Sequence, residues 1–219
     1  AVAAHLALRA AQGLVDHDSR MGQGEPLYNY RNVKKAIDTL CDPDGLALPR
    51  KRVTVSTAGV APLIAKVGTE LGVNLAVSLH APTEGARGAL MDVARQYHIS
   101  DVMEACREYQ NGRDTLTPGR RITFEYVLLA GVNDSEGDAI TMATLIKRER
   151  LLAHVNVIPF NPWPGARFAC PSSHTIRLFE QALAREGIGV TTRWPKGRDI
   201  LAACGQLKTS VEEEGMMQA

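Results

Sequence analysis

Long apolar runs and clustered cysteines are both missing from this sequence. No stretch approaches the roughly 20 consecutive apolar residues that a membrane-spanning helix requires, so a membrane-spanning helix is not expected. The four cysteines, Cys41, Cys106, Cys170 and Cys204, lie far apart, and none forms a C-x-x-C pair. An iron or zinc site draws several thiolates to one ion, usually from close spacing, and no such set exists here. Four cysteines in 219 residues also make a poor disulfide scaffold, so a reducing compartment is expected: the cytoplasm, with an organelle open. Charge of one sign is absent too. Lys and Arg number 25 against 24 Asp and Glu, a formal net charge of +1, which neither demands nor excludes a nucleic-acid partner. The basic clusters Arg50-Lys51-Arg52, Arg120-Arg121 and Lys147-Arg148, and the late set Arg193, Lys196 and Arg198, each read first as solvated element ends. No secretory signal is evident, because His5 and Arg9 interrupt the Ala-rich start, and the chain opens without Met, as a fragment would.

What is present is ordinary globular composition, 45% hydrophobic and 22% charged, in a length that suits one large α/β domain or two small ones. Val2, Leu6, Ala10 and Leu14 recur every four residues and predict a helix over 1–14. Residues 15–20 are polar and make a poor strand. A Gly/Pro-rich loop follows over 21–30, then a helix over 32–40 that Asp42-Pro43-Asp44-Gly45 stops. From there β-rich runs alternate with helical ones. Strands are expected over 52–57, 73–79, 121–129, 154–160 and 188–194. Helices are expected over 61–71, in stretches up to about Tyr109, and over 138–148, 173–186 and 199–207. That alternation implies βαβ units on a parallel sheet. Right-handed crossovers would curl the units into an open, partial (βα) barrel of TIM type over 1–211, leaving an acidic tail over 212–219.

Barrels of this kind carry their chemistry at the carboxyl ends of the strands. The expected strands end in Ser56-Thr57-Ala58-Gly59, Ser78-Leu79-His80-Ala81-Pro82, Gly131-Val132-Asn133-Asp134, Asn161-Pro162-Trp163-Pro164-Gly165 and Lys196-Gly197-Arg198-Asp199, the last running on to Ala203-Cys204-Gly205-Gln206. Each has a plain structural reading. Ser56 and Ser78 can simply terminate strands, His80 alone is more often a hydrogen-bonded structural histidine, Gly22-Gln23-Gly24 can be a turn, and Cys204 an inert buried thiol. Five such sets on one rim favour a ligand site.

Taken in order, the strings are more specific. Gly22-Gln23-Gly24-Glu25-Pro26-Leu27, Arg52-Val53-Thr54-Val55-Ser56-Thr57, Ser78-Leu79-His80-Ala81-Pro82, Phe124-Glu125-Tyr126-Val127-Leu128-Leu129, Gly131-Val132-Asn133-Asp134, Ile158-Pro159-Phe160-Asn161-Pro162 and residues 199–207 follow one another. This resembles the radical S-adenosylmethionine (SAM) methyltransferases that modify carbon 2 of adenine in ribosomal RNA, over about residues 21–207. The resemblance implies that Gly24 and Glu25 hold the amino group of SAM, and that Ser56, Ser78, Leu79, His80 and Asn161 make further SAM contacts. It implies that Cys204 takes a methyl group from one SAM, and that a second SAM yields a radical which activates that methyl for addition to the electron-poor carbon. It implies ribosomal RNA as partner, transfer RNA in some relatives, a monomer, and a [4Fe–4S] cluster beside SAM. Lys196 and Arg198 are expected to contact RNA phosphates.

The sequence also departs from that pattern. The cluster motif C-x-x-x-C-x-x-C, a second catalytic cysteine and an N-terminal accessory domain are absent, so the cluster's ligands are not in this chain. Residues 15–20 read VDHDSR where an apolar strand is expected, and Gln23 stands where the family usually has Met. The chain therefore reads as a truncated family member. The alternatives are an inactive barrel that binds SAM or RNA without chemistry, and a radical-SAM enzyme acting on a small molecule. The Cys204 string argues against the second.

Overall fold

The computed structural model describes residues 18–20, 24–163 and 165–194. Six parallel strands form one sheet whose spatial order follows the sequence, β1-β2-β3-β4-β5-β6. They are β1 (Asp18–Arg20), β2 (Val53–Thr57), β3 (Asn74–Ser78), β4 (Ile122–Leu128), β5 (Ala153–Pro159) and β6 (Gly189–Thr192). The helices between them are α1 (Tyr30–Cys41), α2 (Ala61–Lys66), α3 (Glu84–Leu90), α4 (Ile99–Asn111), α5 (Glu136–Arg148) and α6 (Ser173–Arg185). Right-handed crossovers in an unbroken order place all the helices on one face. The result is the open parallel α/β barrel expected from the sequence. The expected helices over 1–14 and 199–207 and the tail lie outside the described residues.

Burial alternates along β2 and most of β5, while in β3 and β4 Ala76 and Glu125 on the second face are buried too. Val53, Val55, Leu75, Val77, Phe124, Tyr126, Val155 and Val157 are buried in the apolar core, with Ile64, Val102, Met103, Met142 and Phe179 from the helices. Tyr126 and Phe179 stack with ring centroids 5.1 Å apart. The opposite face carries short polar groups in register: Ser78 pairs with Glu125, Glu125 with Asn156, and Asn156 with Thr191.

Three elements differ from expectation. Residues 18–20 form a strand despite their polarity, with Asp18 in register with Val53 and Arg20 with Val55. Parallel pairing uses the main chain, so three polar residues suffice for a ladder along β2. The single helix expected over 61–71 is split: α2 gives way to a π-turn, Val67–Leu71, which Gly72 ends in the left-handed region at φ 62°. The turn packs tightly at Gly68, where a Cβ would meet the Thr115 hydroxyl at 2.8 Å, and where the Gly68 carbonyl accepts from Leu116 N–H at 2.9 Å. Helix α5 begins at Glu136, two residues earlier than its apolar pattern suggests. Ser135 caps it, and Asp138 at the third helical position reaches back to the Ser135 N–H.

One buried polar contact locks α4 to the sheet. The Tyr109 hydroxyl donates to the Val73 carbonyl at 2.8 Å, and burial pushes its pKa up to about 12. Tyr109→Phe leaves that carbonyl unsatisfied and is expected to cost about 1–3 kcal/mol of unfolding free energy. Urea denaturation followed by circular dichroism measures it, and an unchanged midpoint would refute the assignment.

Candidate active site

The carboxyl end of β2 is held by a residue distant in sequence. Glu25 Oε1 accepts from the Leu27 N–H at 3.0 Å and from the Thr57 hydroxyl at 2.9 Å, while Oε2 accepts from the Ala58 N–H at 2.6 Å. Glu25 thus caps the short 3₁₀ turn Pro26–Asn29 and clamps it to the strand end. Two acceptor positions on Oε1 are filled and one on Oε2 remains, which suits an incoming ammonium group. Gly24 precedes it at φ +85°, with no heavy atom within 4 Å of where a Cβ would sit.

Behind this turn lies a buried cation. Arg87, fully buried, donates to the Ala58 carbonyl at 2.9 Å and to the Tyr97 carbonyl at 3.0 Å. Its Nε has no hydrogen-bond partner, and burial lowers its pKa. Gly59 is required beside it: φ is +106° and a Cβ would stand 2.7 Å from the guanidinium.

At the end of β3, Leu79 and His80 both donate their N–H groups to the Glu125 carbonyl, at 3.0 and 3.3 Å. His80 then turns at φ 58°, a conformation rare for a side-chain-bearing residue. The turn lets its Nδ1 accept from the Val127 N–H at 3.1 Å, so a ring nitrogen stands where the ladder has run out of carbonyls. Burial, with Arg87 contributing, pushes the ring's pKa down to about 4, and the neutral ring therefore carries its proton on Nε2. Asn133 secures the same corner. Its amide donates to the His80 and Val127 carbonyls at 2.7 and 2.8 Å, and its oxygen accepts from the Leu129 N–H at 2.7 Å.

Inside the sheet, Glu125 is only 4% exposed. The Ser56 hydroxyl donates to its Oε2 at 3.4 Å. Burial raises the Glu125 pKa, opposed by the charge of Arg193 and by hydrogen bonds from Asn156 and Ser56. Sequence reasoning placed Glu125 in a family string and gave it no role. The available signal was one carboxylate in the otherwise apolar or neutral strand ITFEYVL. Asn161 is buried just beyond β5. Glu25, Ser78, Leu79, His80 and Asn161 thus sit at carboxyl strand ends, with Ser56 one residue short of its end.

Comparison with known proteins shows extended similarity over much of the chain. No family model matches the chain. Over 194 residues it is 48% identical to the dual-specificity RNA methyltransferase RlmN of Rhizorhabdus wittichii, covering 89% of this chain and 47% of that protein. It is 52% identical over 189 residues to the protein of that name from Rhodospirillum rubrum, covering 86% of this chain and 43% of the relative. The crystal structure of a radical SAM methyltransferase from Sphaerobacter thermophilus superposes with a TM-score of 0.84 at 42% identity, covering 93% of this chain and 60% of that one. Over most of its length the chain is similar to radical SAM and RNA methyltransferases. It spans a little under half the length of the curated relatives it matches.

The family's cofactors are SAM and a [4Fe–4S] cluster, and the residues present suit them unequally. The free acceptor position on Glu25, the open side of Gly24 and the polar groups of the inner face suit SAM. The cluster finds no ligand set: among the described residues, no three His, Cys, Asp or Glu side chains converge on one point. Cys41 ends α1, while Cys106 is buried in α4 with its thiol pushed up to about 12. Cys170 lies in the β5–α6 loop. Its neighbour Ala169 accepts from the Ala130 N–H at 2.9 Å, which ties that loop to the end of β4. Cys204, Lys196 and Arg198 lie outside the described residues.

Glu125 makes stability depend on pH. Its native pKa is raised above the unfolded value, so its contribution is fully present below the unfolded carboxylate range and is lost as pH rises through the native pKa. Glu125→Gln removes that loss. The variant is expected to gain stability relative to the native chain as pH rises from about 4.5 toward 8. Urea midpoints across that range test it; a difference independent of pH would show that Glu125 is not held above its ordinary value.

Proposed function

We propose that this chain is the SAM-holding barrel of an RNA methyltransferase that modifies carbon 2 of an adenine in 23S ribosomal RNA, and in transfer RNA. The observation carrying this reading is the gathering of Glu25, Ser78, His80 and Asn161 at one end of the sheet, in a chain about half identical to proteins named RNA methyltransferases. Among the described residues no helix is long and apolar enough to cross a membrane. A monomer working in the cytoplasm is part of the same proposal.

The roles follow from the chemistry of the side chains. The Glu25 carboxylate, already oriented by three donors, binds the ammonium of the methionine part through Oε2. Ser56, oriented by Glu125, keeps its oxygen free to accept from a ligand hydroxyl or amine. His80, neutral above about pH 4, offers Nε2–H as a donor without adding a positive charge beside a sulfonium. When bound, SAM supplies an electrophilic methyl group. Cys204 would be the residue that accepts this methyl group on its sulfur. The target adenine must leave its stack to reach the mouth, at a cost of a few kcal/mol.

The chain acting alone, without a C-x-x-x-C-x-x-C motif, also fits a second reading, in which the barrel binds SAM or RNA without chemistry. A chimera separates the two. The upstream half of the Rhodospirillum rubrum relative is joined to this chain and expressed in bacteria lacking their own adenine-C2 methyltransferase. Mass spectrometry of nucleosides from the ribosomal RNA is expected to show 2-methyladenosine, and peptide mass spectrometry to show a methylated Cys204. Cys204→Ala is expected to abolish the RNA product, while Cys41→Ala and Cys170→Ala retain it. A Cys204→Ala chimera that still methylates RNA would exclude the carrier role, and an inactive native chimera that folds and binds SAM would favour the second reading.

A further inference from the structure

The large hydrophobic side chains left exposed divide by chemical type. The aliphatic ones lie mostly away from the carboxyl rim: Leu46, Leu116 and Leu152 are in loops that lead into strands and Ile140 is on α5, while Val132, after β4, is on that rim. The aromatic ones are all on it. Tyr28, Trp163 and Trp194, exposed by 63%, 41% and 45%, each follow the carboxyl end of a strand: β1, β5 and β6 respectively. Both tryptophans of the chain are therefore at the rim that carries the site.

Trp163 is mounted on a small aromatic stack. Its ring lies 5.3 Å from that of Phe160, which meets Phe168 edge-on at 6.3 Å, and the Arg167 guanidinium lies 5.4 Å above Phe168. Asn161 is two residues away. Around the two tryptophans the sequence is free of acid: residues 160–179 contain Arg167 and Arg177 but no Asp or Glu, and residues 187–198 contain Arg193, Lys196 and Arg198 but no Asp or Glu. Three large aromatic rings exposed in part at one edge make a surface suited to flat apolar faces. A protein partner would be served by the aliphatic groups as well. Unpaired nucleobases with phosphates between them match both the rings and the cations.

We propose that Tyr28, Trp163 and Trp194 form a stacking platform for unpaired nucleotides flanking the base that enters the barrel. The proposal rests on the RNA-substrate reading above and extends it to how the strand is gripped. The two tryptophans are their own reporters. The native chain is titrated at low salt with a labelled single-stranded RNA oligonucleotide, following tryptophan emission and RNA anisotropy together. Binding with quenching is expected. Trp163→Ala and Trp194→Ala are each expected to weaken binding about tenfold, whereas Trp163→Phe, which keeps a stacking face, stays within about threefold. S-adenosylhomocysteine affinity, read by calorimetry, is expected to be the same in all. Alanine variants that bind RNA as tightly as the native chain would overturn the platform and leave the RNA reading standing; so would equal binding of duplex and single strand. A native chain that binds no RNA would overturn both.

Discussion

A parallel ladder has to end somewhere, and at its carboxyl edge it leaves main-chain groups without strand partners. How this protein settles those groups determines the rest of the rim. At β2 the Ala58 N–H goes to Glu25; at β4 the Val127 N–H goes to the His80 ring and the Leu129 N–H to Asn133. Glu25 and His80 come from distant segments, and Asn133, though local, also donates to the His80 carbonyl, so closing the ladder joins the loops to one another. Two of the three side chains, Glu25 and His80, are ones to which the family resemblance gives a SAM contact. The structural reading of His80 and the functional one are therefore compatible. Nδ1 serves the fold, and Nε2 is left for a ligand.

The two faces of the sheet do different work. The outer face is an apolar seal against the helices, and the inner face presents Ser56, Ser78, Glu125 and Asn156. Arg87 connects them: its guanidinium reaches from α3 beneath the β2 turn to the carbonyl of Ala58, the residue whose N–H meets Glu25. A buried cation without a carboxylate at contact distance is costly. Here it fixes the position of one turn, and Gly59 is the concession that the turn makes to it.

The fold was legible because its signal is periodic and repeated. Apolar strands alternate with helices, and turn residues mark the joints, so five strands and the helices between them follow from pattern alone. What stayed hidden was local and set by partners distant in sequence. Residues 18–20 form a strand because β2 offers them a ladder, and nothing in VDHDSR announces it. The π-turn after α2 contains Gly68, where Thr115 leaves no room for a side chain. In the site, Glu25 and His80 stood out by residue type and position. Asn133 was visible only as part of a turn string and Glu125 only as part of a strand string. Their roles depend on which neighbours the fold supplies.

The order of the strands has a consequence for how the molecule is made. Every strand pairs with the one before it in sequence, and the longest step along the sheet runs from Ala76 to Thr123. No described strand waits for a partner from the far end of the polypeptide, and each loop to be closed is modest. A chain emerging from the ribosome can lay down its sheet one unit at a time, and the segment bearing Trp194 joins last.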